Sequence, residues 1–223
     1  MPRPELSSLL GELRSLSTAY KAGDSDSFAA FRDLASKLLH LTIADSSSYL
    51  QLIGGPTGSD ELLLTNGGEA PLLLNDGRFF RLSILLYRES TDRGVRMRVS
   101  ESSFQYQEDQ DGECWIFRYD YLRRPPEDIP GAHVQIRGSL LEDCLPRGTP
   151  LERIHFPTMR VSLEAVIRLL AKEFTVRCNE DDAVWKPALD ETERAFFDIQ
   201  HLPVGSPEPA PRSPGRRKLR RKK

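Results

Sequence analysis

Apolar side chains recur at helical spacing near the start of the chain, in Leu6, Leu9, Leu10, Leu13 and Leu16, and again after the polar break AGDSDS in Phe28, Phe31, Leu34, Leu38 and Leu39. Residues three and four apart share one face of a helix, so the two stripes predict a helical hairpin over residues 1–41. Asp24 to Ser27 offer oxygens that can cap the second helix, whose first backbone N–H groups have no partner within it. Between residues 42 and 77 the short apolar runs YLQLIGG, ELLLTN and PLLLND stand between Gly-, Pro- and Asn-rich turns and predict short strands.

Beyond Arg78 the period becomes two. RFFRLSILLYRE puts Phe80, Leu82, Ile84 and Leu86 on one face, and GVRMRVS sets Val95, Met97 and Val99 against Arg96 and Arg98. After a turn at Asp111 and Gly112, WIFRYDYL places Trp115, Phe117, Tyr119 and Tyr121 opposite Arg118 and Asp120. These segments read as an antiparallel meander. The connection RRPPEDIPGA holds Pro125, Pro126 and Pro130, which exclude a central strand, and leads to HVQIRGS, where His133, Gln135 and Arg137 share a face. Ser162 reads as the N-cap of a helix whose buried stripe is Leu163, Val166, Ile167, Leu170 and Phe174, and a last helix near Asp190 to Ile199 carries Ala195, Phe196 and Ile199.

The pattern predicts an α+β fold: the hairpin (1–41) packing on a main domain (42–202), with a mainly antiparallel sheet and two C-terminal helices on its apolar face. Residues 203–223, rich in Pro and Gly and almost free of apolar side chains, read as a disordered basic tail. The formal net charge of −2 conceals a division. From Val204 onward eight basic side chains face one acid, a net +7, so residues 1–203 carry −9. Of the 31 basic residues 24 are arginine, a bias that suggests a GC-rich bacterial genome. The three cysteines match neither a disulfide framework nor a zinc motif and read as reduced thiols. No apolar run is long enough to span a membrane and no secretory leader is visible, so a cytoplasmic protein with no membrane partner is expected.

Candidate chemistry follows from the strands. Each gives one face to the helices, which leaves Arg81, Arg96, Arg98, Arg118, Asp120, His133, Gln135 and Arg137 on the other. Guanidinium groups bind phosphate bidentately and stay charged, so such a face can hold a nucleic-acid backbone or a phosphorylated small molecule; Arg160 and the tail cations Arg216, Arg217, Lys218, Arg220 and Arg221 extend the candidate interface. The alternative is a solvated face whose arginines pair with acids of the body. His133 and His155, with Arg118 and Asp120, suggest metal-independent RNA cleavage: a base for the 2′-hydroxyl, an acid for the leaving oxygen, a cation for the phosphate, and Asp120 to orient an imidazole. No metal-ligand run, Gly-rich phosphate loop or G-x-S-x-G elbow is present, so no metal and no cofactor is expected.

The segments FRYDY, AHVQIRGS and RIHFPTMRVSLEAVIRLLAKEF together resemble a bacterial domain with an FRYD strand, a histidine strand and an I-H-F-P-T-x-R-V-S segment, over roughly residues 78–200. More distantly, the FRYD strand followed by a histidine is similar to the TumE-like toxins of toxin–antitoxin modules. Arg118, Tyr119, Asp120 and His133 carry that likeness. It implies a nuclease-like or defence role and a protein partner such as an antitoxin. The competing expectation is a non-catalytic interaction module, whose acidic body docks a partner protein while the basic tail tethers nucleic acid.

Overall fold

A computed structural model of the chain describes residues 4–22, 26–55, 58–66, 70–92, 94–138 and 153–200. The two N-terminal stripes form helices α1 (Pro4–Ala22) and α2 (Ser27–Leu41), which bury Leu13, Tyr20, Phe28, Leu34, Leu38 and Leu39. The expected side-chain cap on α2 is replaced. Asp26 stands at the N-cap without a side-chain capping bond, and Ser27 Oγ donates to the Ala19 carbonyl, fastening the second helix to the first.

Eight strands follow: β1 (Leu50–Gly55), β2 (Gly58–Asn66), β3 (Leu72–Leu73), β4 (Phe79–Thr91), β5 (Gly94–Gln107), β6 (Trp115–Leu122), β7 (Ala132–Ile136) and β8 (Phe156–Pro157). They make an antiparallel sheet in the order β1-β2-β4-β5-β6-β7-β8, with β3 on the same edge of β4 as β2. Asn66 bridges the gap between β2 and β3: its side chain accepts from Leu82 N and donates to Phe80 O, satisfying β4 backbone at the junction of the two strands.

Phe80, Leu82, Ile84 and Leu86 point into the core as alternation requires, beside Phe104, Tyr106 and Phe117. Bulges in β5 and β6 change the alternation. Leu85 pairs with Glu101 but Leu86 with Val99, so Ser100 is skipped and the inward set of β5 passes from Met97 and Val99 to Ser102, Phe104 and Tyr106, while Val95 at the strand end is exposed. On β6, Gln107 pairs with Trp115 and Tyr106 with Phe117, which skips Ile116. Ile116 packs on the core and Trp115 is displaced from the aromatic face that strict alternation assigns it.

Helices α3 (Leu163–Glu173) and α4 (Asp182–Gln200) cover the same apolar side as the hairpin. Ser162 caps α3 as expected, its Oγ accepting from Ala165 N at 3.0 Å. Phe174, at the end of α3, sets its ring edge-on to Tyr106. The last helix begins at Asp182 rather than near Asp190, because Pro187 is accommodated inside it while Trp185, Ala188, Leu189, Thr192 and Ala195 supply the buried stripe. No helix among the described residues is long and apolar enough to cross a membrane. The 203–223 segment lies outside the described residues.

Candidate active site

Directly opposed residues of an antiparallel pair share a face, so the register resolves the helix-free side of the sheet into rows running across the strands. One row is Ser83, Ser103, Asp120, His133 and Pro157, contributed by β4 to β8 in turn. On one side of it lie Arg81, Gln105, Arg118 and Gln135. On the other lie Leu63, Leu85, Glu101 and Leu122. Beyond the leucines, Tyr87 pairs with Arg98 and Glu89 with Arg96.

The central row is polar and held together by hydrogen bonds. Asp120 Oδ1 accepts from Ser103 Oγ at 2.7 Å, and Oδ2 accepts from Arg118 Nε at 2.7 Å. Arg118 Nη2 donates to Gln135 Oε1 at 2.5 Å, so the guanidinium is fixed at both ends while its side chain stays 38% exposed. His133 is 2% exposed. Its Nδ1 lies 2.9 Å from the Pro130 carbonyl, which can only accept, so Nδ1 carries a proton and Nε2 is left facing Asp120 Oδ2 at 3.6 Å. The Pro-rich connection is therefore more than a surface loop: Leu122 N and Gly131 O pin its ends at 2.7 Å and it supplies the carbonyl that sets the imidazole.

The segment entering β8 brings His155 to the same place, with ring centroids of His133 and His155 4.6 Å apart and the planes at 66°. Its Nδ1 is buried and has no hydrogen-bond partner. The histidines, Arg118 and Asp120 together line a cleft of about 490 Å³, whose other walls include Leu63, Leu85, Leu122, Ile129, Ser103 and Glu101. A site of this composition can hold a proton on either side of a bound group and place a cation beside it.

The four candidate catalytic side chains thus come together; the wider arginine set does not. Arg98 is paired with Glu89 at 2.7 Å, and Arg96 faces the same carboxylate across the strands. Arg81 donates to the Gln110 carbonyl at 3.1 Å. Arg137 is exposed just past β7, its backbone N–H on Ile116 O. Arg160 departs from the expectation: its guanidinium lies 4.6 Å from the Tyr121 ring centroid and 5.0 Å from that of Phe196, on the helix side, because Tyr121 points to the core and residue 160 leads into α3. Desolvation there pushes its pKa down to about 10. Arg216, Arg217, Lys218, Arg220 and Arg221 lie outside the described residues.

No family model, curated protein or solved structure matches the chain. Of the four residues on which the expected likeness to TumE-like toxins rests, Arg118, Asp120 and His133 line the cleft and Tyr119 points to the core side. Among the described residues, no three His, Cys, Asp or Glu side chains are grouped as a metal ion would need. Ser103, Glu101, Ile129 and the leucines of the cleft are not singled out by the sequence. Glu101 and the leucines share a row across four strands, Ser103 belongs to the row beside it and Ile129 comes from the connection before β7, and such juxtapositions have no signature along the chain.

Proposed function

We propose that this protein is a metal-independent ribonuclease of the toxin or defence type, acting through the cleft on the helix-free face of the sheet. The meeting of the His133 and His155 rings beside Arg118 and Asp120 is the observation that carries the reading. His155 takes the proton of a 2′-hydroxyl, the 2′-oxygen attacks the adjoining phosphorus, and His133 Nε2 gives a proton to the departing 5′-oxygen. The products are a 2′,3′-cyclic phosphate and a free 5′-hydroxyl, with no further reactant needed. Arg118 stabilises the charge on the phosphorane oxygens through the N–H donors that Asp120 and Gln135 leave unused. Asp120 orients Arg118 and faces the proton that His133 delivers.

The test is cleavage of a mixed-sequence oligoribonucleotide by wild type, His133→Gln, His155→Ala and Arg118→Ala. The histidine variants are expected to lose about 10²- to 10⁴-fold in rate, the range for removal of a positioned acid or base, and Arg118→Ala about 10²- to 10³-fold, the range for removal of a transition-state donor, with circular dichroism unchanged. Rates equal to wild type in all three variants refute the reading.

The division of charge between residues 1–203 and 204–223 supports a second reading, a non-catalytic module whose acidic body docks a protein partner such as an antitoxin while the basic segment tethers nucleic acid. It predicts salt-sensitive binding with no turnover of RNA or DNA.

A further inference from the structure

A reacting group must reach His133, which lies almost fully buried at the floor of the cleft, with Pro130 on its Nδ1 and Ile129 on the wall. A phosphodiester can approach only if one of its flanking nucleotides enters as well. The rows on either side of His133 differ in character, arginine and glutamine on one side and leucine on the other. Strands rise about 3.3 Å per residue, so the Arg118 and Leu122 rows stand about 13 Å apart across the Asp120 row. A volume of about 490 Å³ falls in the lower half of the roughly 300–1,000 Å³ typical of small-molecule sites. It suits a single nucleotide and is too small for a paired and stacked duplex, whose bases cannot leave the stack without unpairing.

From this arrangement we infer that the site takes one unpaired nucleotide, with its phosphate at Arg118 and its base against Leu63, Leu85, Leu122 and Ile129. The inference rests on the ribonuclease reading for the chemistry performed, and it assigns the substrate class: single-stranded or looped RNA rather than duplex. The leucine wall holds the face of any base, and Glu101, exposed at the end of Leu85's cross-strand pairing, can accept from a base's exocyclic amine.

The decisive experiment uses the full chain and a deoxyoligonucleotide, which lacks the 2′-hydroxyl and so survives the proposed reaction. Anisotropy titrations compare the single strand with the same strand annealed to its complement, at raised salt to suppress binding by the 204–223 cations. The single strand is expected to bind roughly tenfold or more tightly, since a duplex must first expel a base, and Leu85→Asn or Leu122→Asn, on the helix-free face and outside the core, should abolish that preference. Equal affinity for the two forms, or a preference unaltered in both leucine variants, overturns the inference. The corresponding oligoribonucleotide separates the two claims: a retained single-strand preference without cleavage removes the ribonuclease reading and leaves the binding site standing.

Discussion

Asp120 shows how one side chain can organise a site. Its two oxygens accept from Ser103 and Arg118 and face His133, so a serine, a guanidinium and an imidazole from β5, β6 and β7 take their positions from one carboxylate. Arg118 and Asp120 were legible as a pair because they are two apart on a strand; Ser103 and His133 join them only through pairing register. A second carboxylate behaves differently. Glu164, at the start of α3, is buried, and desolvation raises its pKa, against a backbone hydrogen bond that favours the ionised form; Glu193 nearby adds to the rise. A carboxyl whose folded-state pKa is raised contributes stability below its unfolded value, and that contribution is lost as pH climbs through the raised one. Glu164→Gln cannot ionise. Thermal melts of both proteins from about pH 4 to about pH 8, a window bracketing the ordinary carboxylate value, should show the variant gaining on wild type as pH rises; a flat or opposite trend sinks the attribution to burial.

At the scale of elements, the link between α3 and α4 is more specific than two amphipathic helices require. Ser162 Oγ accepts from Ala165 N and donates to Glu193 on α4, and Glu193 in turn takes Arg168 from α3 at 2.6 Å. Cap and cross-helix bond therefore depend on the same hydroxyl. Ser162→Ala is expected to destabilise the fold by about 1–2 kcal/mol, the upper part of the range for removal of an N-cap, lowering Tm by roughly 2–4 °C per kcal/mol in a chain of this size. A melt indistinguishable from wild type would show that the cap contributes nothing here. The helical stripes were readable because each is a local repeat of period 3.6. The start of α4 was not, since Pro187 is an ordinary helix breaker and the burial of Trp185 and Leu189, in a helix packed on α1, α2 and α3, compensates for it.

For the whole molecule, the proposed reaction assigns one task to the cleft and another to the 204–223 segment. Arg118 of the cleft already faces a carboxylate, and Arg98, beyond the leucine row, is paired with Glu89, so the proposal gives long-range attraction to the eight basic residues of the segment. Removing residues 204–223 should weaken binding to single-stranded RNA and reduce the slope of log affinity against log salt by about 0.7 for each phosphate that is no longer neutralised, while the cleavage rate at saturating RNA stays unchanged. An unaltered salt slope would exclude the segment from binding.

What the sequence determined by itself was the type of structure and its charge division, because helix and strand periods are properties of neighbouring residues and net charge is a property of composition. Tertiary structure alone decided that His133 and His155, 22 positions apart, should touch, that bulges at Ser100 and Ile116 should reset which side chains face the core, and that Arg160 should turn to the helices. Those outcomes depend on register and loop closure. Both are fixed by what each strand finds beside it after the chain has folded.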